Sequence, residues 1–151
     1  MELFRITRSQ YVSDLSGRGA FERGGRWNPP GTYALYTAQS RSLAMVESLV
    51  YLSGLPPDDE YKIAVLYVPD DVFVGTIDIG QLSANWREDQ KCTQQLGDQW
   101  LLERSSLLLR VPSIIVKSEH NYVVSPGHPV MNRIKLVDIE PFSFDWRLFN
   151  K

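Results

Sequence analysis

The sequence predicts an α+β fold in which a mixed or antiparallel sheet forms the core and helices flank it. Segments rich in aromatic and β-branched residues outnumber those with helical spacing. They cluster in the later part of the chain, and they do not alternate with helices as the βαβ units of a doubly wound sheet would. The chain has 151 residues, and a protein of this size buries roughly two-thirds of the surface that its unfolded form exposes. That leaves room for one sizeable core, so residues 1–151 are read as a single domain without linker, internal repeat or low-complexity tract.

Residues 17–31 hold five glycines and two prolines. This density disfavours regular structure over most of the segment, which reads as a long ordered loop anchored by Phe21 and Trp27. Residues 33–37 read as a short strand. Ser40 is placed to cap a helix over 41–52, which Ser53-Gly54 and Pro56 would end. Residues 61–68 and 72–79 have strand composition, and Pro69-Asp70-Asp71 between them suggests an antiparallel pair. The polar stretch 83–97 carries no clear period. Residues 98–105 read as a helix with Trp100 and Leu101 inward and Leu102 a further candidate for that face. Residues 107–116, 121–124 and 133–139 read as strands, interrupted by Pro112 and by the turn Ser125-Pro126-Gly127.

Composition excludes several classes of function. A hydrophobic share of 43% with 23% charged residues is that of an ordinary globular domain, and argues against a disordered chain and a membrane protein. Sixteen basic against eighteen acidic residues leave a net charge of −2, so no long-range positive field draws in a phosphate backbone, and direct nucleic-acid binding is not expected. Arg5, Arg8, Arg18, Arg23 and Arg26 crowd the first segment, which leaves open a local pocket for one small anion; arginines on a solvated face would look the same. Cys92 is the only cysteine, so no internal disulfide can form. With no apolar secretory segment after Met1, this predicts a cytoplasmic protein.

On a helix over 41–52, a rotation of about 100° per residue puts Glu47 between Leu43 and Val50 on the apolar arc that includes Val46. A carboxylate there either lines a cleft where its charge is used, or is a structural Glu bonded to an arginine or a backbone amide. Arg26 follows Gly24-Gly25, where the backbone can approach a ligand, and its planar guanidinium suits a diphosphate; stacking on Trp27 is the alternative. Tyr36 lies near the end of its strand, where a phenol can reach a cleft. Tyr33 and Tyr36 should point to opposite faces, so one of them is expected to be core only. Ser113 is a hydroxyl in an apolar run, a place where such groups commonly bond a carbonyl. His120 and His128 are the only histidines, and neither belongs to a metal-binding motif, so no metal is expected. Ser125, His128 and an aspartate could form a Ser-His-Asp site, but no nucleophile elbow is present. Neither a Rossmann fingerprint nor a P-loop occurs.

Several of these residues fall into one ordered set. Gly24-Gly25-Arg26-Trp27-Asn28, Gly31, Leu35-Tyr36-Thr37-Ala38 and Leu43-Ala44-Met45-Val46-Glu47 resemble the RES domain, as do Phe4-Arg5-Ile6, Val111-Pro112-Ser113, Asn121-Tyr122 and His128-Pro129. The resemblance implies a fold like that of ADP-ribosyltransferases and a toxin of a toxin-antitoxin pair, with a helix-turn-helix antitoxin as partner. It further implies an enzyme that breaks the nicotinamide-ribose bond of NAD⁺, by hydrolysis or phosphorolysis, and depletes the cell of it. NAD⁺ would be the substrate, with no added cofactor. The resemblance assigns Arg26, Tyr36 and Glu47 to the site, with Trp27, Asn28 and Asn121 on its substrate-binding side. Ser113 is its best match for the family serine. Ser125 is a second candidate, because this chain has Ser125-Pro126 where the family usually has Asn-Pro.

The chemistry implied for these residues is intelligible on its own. Nicotinamide leaves an oxocarbenium-like ribose, which the Glu47 carboxylate can stabilise while Arg26 binds the diphosphate. Tyr36 would pack on the nicotinamide or ribose, and Ser113 would orient the ring by a hydrogen bond. Two alternatives stay open: mono-ADP-ribosyl transfer to a protein, and a non-catalytic module that binds an antitoxin or a nucleotide.

Overall fold

The computed structural model describes residues 1–150. Seven strands form one sheet: β1 (Glu2–Arg8), β2 (Leu35–Ala38), β3 (Tyr61–Tyr67), β4 (Val74–Thr76), β5 (Leu108–Pro112), β6 (His120–Val124) and β7 (Lys135–Phe142). Their order is β4-β5-β6-β2-β1-β3-β7. Only β4 and β5 run parallel; the other pairs are antiparallel. Three α-helices flank the sheet, α1 (Arg18–Arg23), α2 (Arg41–Leu49) and α3 (Gln90–Glu103). The α+β architecture with a mixed sheet is the one that the sequence predicts.

The differences lie in pairing and in boundaries. The segment 72–79 shrinks to β4 and does not pair with β3, because β1 and β7 already occupy both edges of β3. β4 instead crosses to the far edge of the sheet and joins β5 in parallel. The glycine-rich segment 17–31 contains α1 in its first half. This helix is entered through Gly17 and left through Gly24, both at positive φ, so the glycines bound the helix rather than abolish it. Helix α2 starts at the expected place, where the Ser40 side chain accepts a bond from the Leu43 N–H. It stops three residues short of Leu52, tightening into i→i−3 bonds from Tyr51 to Ser48 and from Leu52 to Leu49.

Helix α3 begins eight residues before the expected start at 98, capped by the Asp89 carboxylate on the Cys92 N–H. Its inward positions are Thr93, Gly97, Trp100 and Leu101. Their spacing is helical, but two of the four are not apolar, so the first half has no hydrophobic period. Leu102 is 72% exposed and belongs to the outer face. Gly97 is required by contact: a Cβ there would overlap the backbone carbonyl of Trp27.

Strand register sorts the core into two faces. On one face Leu3, Leu35, Leu66, Leu108 and Val124 pack into a closed apolar layer with Val68, Leu107 and Ile134. On the other face the core is split. Phe4, Ala38, Ile63 and Val65 pack against Leu43 and Ala44 of α2. Leu109, Val111 and Val123 pack against Trp27, Trp86, Trp100 and Leu101 of the glycine-rich loop and the α3 region. Tyr36 and Asn121 share that face, paired with Val123 and Ala38 respectively.

Candidate functional site

Helix α2 carries Glu47 to the seam between these two clusters. Leu43 and Ala44 are buried against the sheet, and Glu47 follows one turn later, half-buried. Val50, placed beside Glu47 by spacing, is 61% exposed because the helix ends before it. The Glu47 carboxylate meets no arginine among the described residues. Its Oε1 accepts two hydrogen bonds, from Ser113 Oγ at 2.6 Å and from Asn121 Nδ2 at 2.7 Å. Its Oε2 has no protein donor among the described residues.

Ser113 is fully buried just beyond the end of β5. Its hydroxyl oxygen accepts from the N–H groups of Ile115 at 3.1 Å and Val116 at 3.0 Å, and its single proton goes to Glu47. Donor and lone pairs are thus all committed. A hydroxyl so used fixes a carboxylate; it is not poised as a nucleophile. Asn121, on β6, donates to the same Oε1, while its own Oδ1 is buried without a partner. Glu47 is therefore held by the ends of β5 and β6, which lie 66 and 74 residues along the chain from it.

The second half of the site is a tight turn over 25–28, closed by the Gly25 N–H on the Asn28 carbonyl at 2.9 Å. Tyr36 lies beneath it. The phenol accepts from the Trp27 N–H at 2.8 Å and donates to Asn28 Oδ1 at 2.7 Å. Burial pushes this phenol well above its ordinary pKa, against the smaller lowering by the Trp27 N–H, so the group stays a neutral donor. Gly25 rests on the same hydroxyl, and a Cβ there would lie 2.6 Å from it. Asn28 is fully buried and donates to the carbonyls of Ala20, Pro29 and Thr32. Trp27 is 3% exposed. Both residues hold the loop: the Asn28 amide and carbonyl oxygens and amide nitrogen, and the Trp27 backbone N–H, are all used within the chain.

Arg26 stands at the tip of this turn, half-buried, and does not stack on Trp27. Its Nη1 donates to the Arg87 carbonyl at 3.1 Å. From α3, Thr93 Oγ1 donates to the Arg26 carbonyl at 2.6 Å, and Gln94 Nε2 donates to the Gly25 carbonyl at 2.9 Å. The charge of Arg26 and the phenol of Tyr51, just past α2, both act on Tyr36. The arginine turn and Tyr51, the second residue past the end of the Glu47 helix, thus both lie near Tyr36. The sequence does not mark Thr93, Gln94 or Arg87 for the site, because they fall in the polar stretch that lacks a period.

Other expected residues are placed elsewhere. Ser125 is buried at the opposite end of β6, four residues from Asn121, a distance of about 13 Å along an extended strand. It borders a separate hollow of about 480 Å³ with Tyr33, Leu102 and Arg104. A smaller hollow of about 190 Å³ involves Asp71, His128 and Arg133. The Ser-His-Asp possibility fails on geometry, because His128 Nδ1 accepts from the Val130 N–H and so has no proton for an aspartate, and no side-chain bond joins Ser125 to the ring among the described residues. His120 faces the closed side of the sheet, where Arg110 Nη2 lies 3.0 Å from its Nδ1. Tyr33 is 49% exposed and stacked on Phe21 with ring centroids 4.3 Å apart, so the more deeply placed tyrosine of the pair is Tyr36.

With this geometry in place, comparisons with known proteins identify the family. The model of the RES domain matches residues 2–146. The chain is 36% identical to the "Prs ADP-ribosylating toxin" of Sphingobium sp. (strain YBL2), covering 95% of this chain and 92% of the relative. It is 36% identical to "Toxin Res" of Yersinia enterocolitica, covering 98% and 99%. Its fold is similar to a chain in the crystal structure of the M. tuberculosis MbcT-MbcA toxin-antitoxin complex. That likeness has a TM-score of 0.73 at 22% identity and covers 94% of this chain and 84% of the other. No helix among the described residues is long and apolar enough to cross a membrane. The chain belongs to the RES domain family.

Proposed function

We propose that this protein is the toxin of a toxin-antitoxin pair and that it breaks the nicotinamide-ribose bond of NAD⁺ in the cytoplasm. The observation that carries the chemistry is the Glu47 carboxylate, with Oε1 pinned by two donors and Oε2 uncommitted. An ionised carboxylate fixed in this way is pre-organised to face developing positive charge. When the glycosidic C–N bond breaks, its electron pair leaves with nicotinamide, which departs neutral, and the ribose becomes oxocarbenium-like. Oε2 stabilises that charge or holds a ribose hydroxyl. Water or phosphate then adds at the same carbon and gives up its proton to solvent. Tyr36 positions the arginine turn, Arg26 holds the diphosphate, and Ser113 with Asn121 positions the carboxylate. This chemistry calls for no metal and no redox cofactor.

The names of the relatives support the toxin reading, and the complex containing the structural neighbour supports an antitoxin as partner, for which we propose the helix-turn-helix type. A second reading, ADP-ribosyl transfer to a protein, is favoured by the name of the Sphingobium relative. Purified protein incubated with NAD⁺, with and without phosphate and a cell extract, separates the readings by mass spectrometry. Free ADP-ribose, its phosphorylated form or a modified protein would identify the acceptor, and intact NAD⁺ under all conditions would sink both enzymatic readings.

Glu47→Gln tests the carboxylate directly. The amide oxygen still accepts from Ser113 and Asn121, so the fold should persist, while turnover should fall by about a thousandfold, on the order of 4 kcal/mol of transition-state stabilisation. Wild-type turnover in a folded Glu47→Gln protein would remove Glu47 from the mechanism.

A further inference from the structure

Arg87 lies 61 residues from Arg26 in sequence and beside it in space, because Arg26 Nη1 donates to the Arg87 carbonyl. Arg8, Arg18, Arg41, Arg133 and Arg147 each find a carboxylate within ion-pairing distance. Arg26 and Arg87 are among the six arginines that do not do so among the described residues. The Arg87 guanidinium also has its Nε buried without any acceptor. Its orientation is not loose, since its Cζ lies 5.2 Å from the ring centroid of Trp86, and Trp86 is 3% exposed and packed beside Trp27. The backbone beneath the pair is fastened by Thr93 and Gln94.

The Arg26 guanidinium reaches the backbone of a residue whose own guanidinium holds a buried donor that nothing in the protein satisfies, and an anion with several acceptor oxygens would supply what both side chains lack. We propose that Arg87 is a second phosphate-binding residue, and that it and Arg26 together clamp the diphosphate of a nucleotide, one guanidinium to each phosphoryl group. This rests on the NAD⁺ reading for the identity of the nucleotide, and adds a binding residue that the family resemblance does not supply. Each planar fork can pair with two phosphoryl oxygens, and the arriving negative charge supplies a counter-charge that neither side chain finds among the described residues.

The test is calorimetric titration of the whole protein with ADP and, separately, with AMP. Arg87→Gln should weaken ADP by about tenfold and AMP by less than about threefold, since AMP lacks the second phosphoryl group. Arg87→Lys keeps the charge and most of the stem over Trp86 but loses the fork, so it should fall between Gln and wild type. It also serves should the Gln variant fold poorly. ADP affinity within about twofold of wild type in both variants, equal losses for ADP and AMP, or no ADP binding by wild type would each overturn the clamp. The two readings fail separately. Wild type that binds ADP but leaves NAD⁺ intact removes the cleavage and spares the clamp. Wild type that cleaves NAD⁺ with an unchanged KM in Arg87→Gln does the reverse.

Discussion

The two faces of the sheet solve different problems with the same seven strands. On the closed face, Leu3, Leu66, Leu108 and Val124 are each at most 1% exposed, in one continuous apolar layer. On the other face the apolar packing divides into a cluster under α2 and a cluster under α3, with Tyr36, Asn121, Glu47 and Ser113 between them. Burying those polar groups costs free energy that apolar residues of equal volume would not, and each hydrogen bond returns only about 1 kcal/mol net. A protein that only had to fold would fill the seam with aliphatic side chains. The contrast locates stability on one face and the candidate chemistry on the other.

This contrast can be broken in order of effect. Leu108→Ala removes a fully buried side chain from the closed layer and should cost about 2–5 kcal/mol in urea unfolding, while the folded fraction keeps NAD⁺ turnover within about twofold. Loss of turnover without loss of stability in that variant would erase the division between faces. Tyr36→Phe keeps the ring but strands the Trp27 N–H and Asn28 Oδ1. It should cost about 1–3 kcal/mol in the same assay and lower turnover by at least about tenfold, because the turn that carries Arg26 loses its tie.

The smallest effect is expected at His120, on the closed side. Arg110 donates to its Nδ1, which requires the neutral ring, and burial followed by the Arg110 charge lowers its pKa against the smaller pull of Asp78. A histidine lowered in the folded state favours the unfolded chain once protons bind. Its contribution is therefore present above the ordinary value of 6.5 and is lost as pH falls below it. His120→Gln should flatten the decline in melting temperature between about pH 6.5 and 5 relative to wild type. An unchanged slope would remove His120 as its source.

How much could be read beforehand depended on how local the signal was. The start of α2 was legible because Ser40, an N-cap hydroxyl, and the apolar pair Leu43 and Ala44 lie within one turn of each other. Glu47 stood out because a carboxylate on that arc needs a reason. The first half of α3 was hidden because its buried positions are Thr93 and Gly97, chosen for a hydrogen bond to Arg26 and for close approach to Trp27 rather than for hydrophobicity. The pairing expected between 61–68 and 72–79 failed because a turn signal says only that the chain reverses. It carries no information on whether the strand edge is already occupied.

Composition, capping and the order of short motifs determined by themselves the α+β class, the helix that presents Glu47 and the family. Those depend on neighbours within a few residues or on a fixed order along the chain. Only the tertiary structure decided that Ser113 rather than Ser125 meets Glu47, that Tyr36 ties the arginine turn to the sheet, and that Arg87 stands beside Arg26. The first and last of these contacts join segments more than sixty residues apart, and the second depends on how a loop folds back over its strand, so no local pattern of residues encodes them.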